Sequence, residues 1–132
     1  MDSKFYVSLE TARLLKEQGY NNYSIVYDCS VKGSILLNQQ PIYGEWVEDK
    51  DVYPCPTKAE AIDWLESKGI VVEVVFDCNI QRWYFSIYKE EKTPWIKHLS
   101  NDTFQTRLEA EEAVIIKALK LLHLNKKLNH EH

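Results

Sequence analysis

The stretch that most restricts the fold is "IVVEVVFDCNIQRWYFSIY", residues 70–88. Successive side chains of a β-strand point to opposite faces, so apolar residues at every second position predict a strand with one covered face. The apolar positions that share a face in the first half are Ile70, Val72, Val74, Phe76 and Cys78, and those in the second half are Trp83, Phe85 and Ile87. The polar segment near Asn79 predicts a turn between the two halves. The pattern therefore predicts an antiparallel hairpin, and "WIKHL" at residues 95–99 predicts a further strand.

Capping residues predict two helices before this hairpin. The first runs from Ser8, whose hydroxyl can accept from a free N–H of the first turn, to residue 18, and Gly19 supplies the residue after the helix. The second begins at "TKAE", a capping box in which Thr57 and Glu60 satisfy each other's backbone donors, and Gly69 ends it. Residues 38–56 between these elements hold three prolines and an acidic cluster. They are predicted to form a long connection with one short strand at residues 43–47, and its role stays open.

A third and longest helix is predicted over about residues 106–124. It opens with the capping box "TRLE", formed by Thr106 and Glu109. Glutamates occupy its first turns and lysines follow toward its end, which is the order that the helix dipole favours. Residues 125–132 are predicted to be a tail.

A repeated phrase indicates that one supersecondary unit is used twice. Residues 24–30 read "SIVYDCS" and residues 73–79 read "EVVFDCN". When Gly19 is aligned with Gly69, each copy runs helix, glycine, strand, turn and returning strand. The units are predicted at about 8–37 and 57–88, arising either by duplication or by convergent use of one motif. The whole chain is predicted to be a single α+β domain, 1–132, in which antiparallel strands pack with three helices. Whether the two units lie side by side or back to back stays open.

The Asp-Cys pair of each phrase has a structural interpretation. Period two places Cys29 and Cys78 on the inward faces of their strands, where a free thiol behaves as a small apolar residue. Asp28 and Asp77 then point the other way and can start the turn by accepting from the backbone two residues on. The alternative is a redox or metal role. Three widely spaced cysteines do not form a secreted disulfide framework, so a reducing cytoplasm is expected.

The motifs of common enzyme and metal sites are missing from the sequence. It contains no C-x-x-C, H-E-x-x-H, G-x-S-x-G or phosphate-binding loop, and no local signature joins His98 or His123 to a cysteine. We therefore expect a non-enzymatic protein with no catalytic residues, no cofactor and no metal. The N-terminal "MDSKFYVSLE" has no apolar core of a signal peptide, and no apolar run approaches a membrane span, so no membrane partner is expected.

The order of elements over residues 57–124 is helix, strand, strand, strand, helix, which is similar to a double-stranded RNA-binding domain. Those domains hold phosphates with basic residues at the start of the second helix. Here the same place reads "TRLEAEEA", and the formal net charge of the chain is −4. Acidic side chains repel a phosphate backbone, so nucleic-acid binding is kept as the alternative function and not as the first.

The open face of the predicted sheet is the candidate interaction surface. If the helices cover one face, Arg82, Tyr84 and Tyr88 lie on the other. Tyr and Arg are enriched at protein interfaces, so the expected partner is an unidentified protein, or a second copy in a homodimer. The competing interpretation is that the first hairpin or a helix covers this face.

Four stretches carry a resemblance over roughly residues 6–122. They are "VSLETARLLKEQGY", "YPCPTKAEAIDWL", "WYFSIYK" and "EAEEAVIIKALKLL". In this order they resemble a set of small uncharacterised proteins from bacterial prophages and mobile elements. The resemblance implies an origin and an accessory role in a phage or its host, but no activity and no functional residues.

Overall fold

A computed structural model of the chain describes residues 3–29, 35–37, 51–89, 96–99 and 102–130, with side chains for 4–29, 51–89 and 102–124. After a 3-10 turn at Ser3–Phe5, the helices are α1 (Leu9–Glu17), α2 (Lys58–Ser67) and α3 (Arg107–His130). The strands are β1 (Val26–Asp28), β2 (Ile35–Leu37), β3 (Val52–Pro54), β4 (Ile70–Asp77), β5 (Arg82–Lys89) and β6 (Ile96–Leu99). All pairings are antiparallel, so the predicted α+β class is confirmed.

The chain divides into two compact units, Met1–Thr57 and Lys58–His132, and each has its own three-stranded sheet. The first sheet has the order β2-β1-β3, with Tyr27 of the central strand opposite Tyr53. A small core cluster of Tyr23, Val26 and Val52 packs there. The single domain over 1–132 stays a prediction.

Helix α1 forms where its caps predict it. The Ser8 hydroxyl accepts from the N–H of Thr11 at 3.2 Å. At the other end, Gly19 (φ 91°) donates its N–H to Lys16 O at 3.1 Å, and Tyr20 donates to Leu15 O at 3.0 Å. These two bonds make a Schellman motif, and Leu15 and Tyr20, the positions that form an apolar contact in this motif, are both buried.

The second unit is built around β5. Strands β4 and β5 pair over eight residues, from Ile70 opposite Lys89 to Asp77 opposite Arg82, and β6 pairs with the other edge of β5. Beyond β6, Phe104 continues along this edge by exchanging two backbone hydrogen bonds of 2.8 Å with Trp83. The ring of Phe104 stacks on Phe85 at 6.1 Å. Strand β5 therefore pairs with β4 over its whole length on one side, and on the other side with β6 at Ser86–Lys89 and with Phe104 at Trp83.

The two units share the predicted helix, glycine and hairpin but differ in the third strand. Gly19 and Gly69 both have positive φ, at 91° and 85°. In the first unit the third strand pairs with the first strand of the hairpin, whereas in the second unit it pairs with the second. The common part is thus a helix followed by a two-stranded hairpin, and the third strand is added to opposite edges of the hairpin in the two units.

The structure differs from the prediction in two places. Helix α3 continues to His130, beyond the predicted end near residue 124. Strand β3 lies within the predicted long connection, at Val52–Pro54. The strand predicted at residues 43–47 lies outside the described residues.

Candidate functional site

Helices α2 and α3 lie on one face of the second sheet. Val72 and Val74 of β4 line a cavity of about 280 Å³ together with residues of both helices, namely Ala59, Ile62, Asp63, Arg107 and Glu111. Because side chains alternate along a strand, the odd-numbered residues of β4 point to the opposite face. The continuous register places the even-numbered residues of β5 beside them. We call this opposite face the tyrosine face; its residues are Val71, Glu73, Val75, Asp77, Arg82, Tyr84, Ser86 and Tyr88.

The tyrosine face combines aromatic rings with aliphatic cross-strand neighbours. Tyr84 is paired with Val75, and Tyr88 with Val71; all four side chains are half-buried. The Tyr88 hydroxyl donates to the exposed Glu73 carboxylate at 2.9 Å. Aromatic and β-branched residues opposite one another stabilise a sheet while leaving part of each side chain accessible. The structure thus brings the predicted Tyr84 and Tyr88 onto one face that neither α2 nor α3 covers.

Arg82 has a local role that the sequence did not reveal. Its Nε donates to Thr103 Oγ1 at 3.0 Å and its Nη2 donates to Thr103 O at 2.9 Å. These bonds hold the segment before α3 against β5, next to the pairing of Trp83 with Phe104. A guanidinium carries five N–H donors, and these two bonds use two of them.

The repeated Asp-Cys pair is only partly what the sequence predicts. Asp77 accepts from the N–H of Asn79 at 3.0 Å, which confirms its role in the turn. Cys78, however, is exposed and Cys29 is half-buried, so the prediction of two inward thiols is wrong. The strands end at Asp77 and Asp28, and alternation no longer applies to the residue that follows. The buried thiol is that of Cys55, 3.6 Å from Val7 O.

The cavity beside β4 is lined by apolar side chains and by three charged residues, Asp63, Arg107 and Glu111. Arg107 Nε and Glu111 Oε1 form an ion pair of 3.0 Å, in which Arg107 is 68% exposed and Glu111 is 13% exposed. The volume of the cavity lies at the lower limit of small-molecule pockets, and the residues that line the cavity include no Ser, Cys or His. Among the described residues, no three His, Cys, Asp or Glu side chains are grouped as a metal ion requires.

The predicted order of elements, helix, three strands, helix, is present in the second unit. At the start of α3, where RNA-binding domains of this order carry basic residues, the exposed Glu109 is followed by Glu111 and Glu112. Arg107 is the cation of this turn, and its ion pair with Glu111 neutralises it. Electrostatics at this place therefore oppose a phosphate backbone.

No protein-family model, no curated protein and no solved structure matches this chain. In the part of the chain that the structure describes, none of the helices combines the length and apolar character that a membrane span requires.

Proposed function

We propose that this chain is a non-enzymatic protein-interaction protein that binds a protein partner through the tyrosine face. The observation that carries the proposal is the position of Tyr84 and Tyr88, half-buried side chains on a sheet face opposite both helices of their unit. Tyrosine provides a large contact area at a low cost in side-chain entropy, and its hydroxyl can be satisfied in the free and the bound state.

The surface is preorganised for binding. Both rings project from the central strand β5, and the hydrogen bond from Tyr88 to Glu73 fixes one phenol before any partner arrives. On the neighbouring strand Val71 and Val75 lie directly opposite the two rings, and Glu73 and Asp77 add charge along the outer side of the face. An apolar centre with a polar rim is the usual anatomy of a protein interface.

The proposed setting is the cytoplasm of a phage-infected or prophage-carrying cell, in an accessory role. The resemblance of the sequence to small prophage proteins supports this setting, as do three cysteines without a disulfide framework.

Affinity capture tests the proposal. The full chain, a variant with Tyr84→Ala and Tyr88→Ala, and a matched variant with Tyr84→Phe and Tyr88→Phe are used to capture proteins from a host lysate. We expect a partner to be recovered with the wild type and the Phe variant and lost with the Ala variant, because the rings supply the contact area. Equal recovery by the Ala variant, with all three chains folded by circular dichroism, would rule out this surface.

Nucleic-acid binding is the second candidate, because the second unit has the helix, three-strand and helix order of double-stranded RNA-binding domains. A mobility-shift assay with double-stranded RNA at low salt separates the two functions. We expect no shift, since the start of α3 is acidic. A salt-sensitive shift at micromolar protein would favour nucleic-acid binding and count against the proposed interaction role.

A further inference from the structure

The outer edge of β4 is a long strand edge with few protective features. In the described part of the chain, β4 pairs with β5 on one side and with no strand on the other. Natural proteins protect such edges with proline, lysine, bulges or very short strands. Strand β4 has eight residues, "IVVEVVFD", with no proline, no lysine and an unbroken register, and only Glu73 and Asp77 are charged.

The pairing of Trp83 with Phe104 determines which backbone groups face this edge. Trp83 uses both its N–H and its C=O on Phe104, on the side of β5 away from β4. Since these groups alternate between the two edges of a strand, the even-numbered residues of β5 bond to β4, and their partners are the odd-numbered residues of β4. The residues of β4 whose N–H and C=O face outward are therefore Ile70, Val72, Val74 and Phe76.

We propose that a second copy of this chain pairs with this edge, antiparallel, so that Val74 lies opposite Val74 of the second copy. The result is a continuous six-stranded sheet across a two-fold axis. A two-fold axis between adjacent antiparallel strands runs perpendicular to the sheet, so the residue on the axis faces its own copy. The same symmetry places the helices of both copies on one face of the joined sheet.

Charge and the length of the pairing together select the register: of the two symmetric pairings that join seven residues of β4, with the axis at Glu73 or at Val74, only the second avoids directly opposed carboxylates. An axis at Glu73 would place two Glu73 carboxylates directly opposite one another, and an axis at Val75 would place Glu73 opposite Asp77. Like charges directly opposite destabilise a sheet. An axis at Val74 pairs residues 71–77, places Glu73 opposite Val75, and places no two carboxylates directly opposite one another.

The same register covers an exposed aromatic ring. Phe76 is 46% exposed, although it lies on the helix-facing side of β4. With the two-fold axis at Val74, Phe76 lies opposite Val72 of the second copy. Val72 is one of the residues that line the cavity beside α2 and α3. Each of the two equivalent contacts removes part of a Phe side chain from water, so the hydrophobic effect favours the pairing.

Sedimentation equilibrium on the full chain tests this pairing. One strand pair buries less than a standard interface, so we expect a weak dimer whose mass approaches twice 15.5 kDa only as the concentration rises. Val74→Pro removes one outward N–H, and it breaks no β4–β5 hydrogen bond because the N–H of Val74 faces away from β5. Proline is tolerated on an edge strand at a position whose N–H faces solvent. We expect Val74→Pro to be monomeric and Val74→Thr, which keeps the N–H, to dimerise. A monomeric wild type, or dimerisation of a folded Val74→Pro variant, would overturn the proposal.

A cross-linking experiment keeps the proposal testable if Val74→Pro fails to fold. Directly opposed, hydrogen-bonded residues have Cα atoms about 5.5 Å apart, within the range that a disulfide spans. In a Cys78→Ser background, Val74→Cys is expected to form a covalent dimer on oxidation, while Val71→Cys, opposite Asp77, is not. Equal cross-linking of both variants would contradict the register. These readouts involve no other protein, so they are independent of the proposed function of the tyrosine face.

Discussion

Replacing Gly19 by alanine isolates the energetic contribution of one backbone conformation. Gly19 has φ 91°, a region that L-residues rarely adopt. Apart from its chain neighbours, no described atom lies within 4 Å of the position that a Cβ on Gly19 would take, so the substitution creates no steric clash with the surroundings. The cost is therefore conformational, and we expect Gly19→Ala to lower the free energy of unfolding by about 1–2 kcal/mol.

Urea unfolding followed by tryptophan fluorescence and circular dichroism measures this cost, and the melting temperature should fall by about 3–8 °C. Gly19→Asn is the matched control, because asparagine adopts positive φ more readily than alanine and should lose roughly half as much. If the Gly19→Ala variant is as stable as the wild type, residue 19 does not need the left-handed conformation. The Schellman motif between Tyr20 and Leu15 would then not stabilise α1 as described. Equal losses for alanine and asparagine would contradict the conformational explanation.

Three further predictions concern titration, the hairpin turn and the α3 cap. Burial raises the pKa of Tyr23 above its ordinary value of 10.0. The contribution of the neutral phenol to stability is therefore present below pH 10 and is lost as the pH rises through the folded-state pKa. Between pH 8 and a pH above 10, the free energy of unfolding measured in urea should fall more for the wild type than for Tyr23→Phe. Asp77→Ala removes the acceptor for Asn79 N–H and should cost about 0.5–1.5 kcal/mol, with a smaller loss for Asp77→Asn, and equal losses would assign the effect to something other than this bond. Thr106→Ala removes the acceptor for Glu109 N–H at 3.1 Å and should cost about 1 kcal/mol, whereas Thr106→Ser, measured by thermal melting, should retain most of it.

Local signals predicted the elements that depend on local interactions. The helix starts at Ser8 and Thr106 follow from side chains that accept from their own first turn, and both hydrogen bonds are present. Strands β4 and β5 follow from alternation and a short turn. Strand β3 was missed because Val52–Pro54 lies between acidic residues and a second proline, and its pairing partner, β1, is far away in the sequence. A strand of three residues defined by a distant partner leaves almost no local pattern.

In the candidate site, too, the sequence predicted the features that depend on local interactions and missed those that depend on distant parts of the chain. Tyr84 and Tyr88 share a face because alternation along one strand is a local rule, and it held. The engagement of Arg82 with Thr103 depends on where the chain returns after β6, which no spacing in the sequence specifies. The exposure of Cys78 depends on the strand ending one residue earlier than the apolar pattern suggests, and a strand end is set by the geometry of the turn.

The different strand orders of the two sheets imply different folding speeds. Strand β5 can join β4 once the four residues 78–81 have turned, whereas β3 can join β1 only after residues 29–51 have been looped out. Closing a longer loop costs more chain entropy, and pairings between distant residues slow folding. We therefore expect the β4–β5 hairpin to acquire protection first in pulse-labelled hydrogen exchange, with the amides of β3 protected later. Simultaneous protection of both sheets would show that the units do not fold independently.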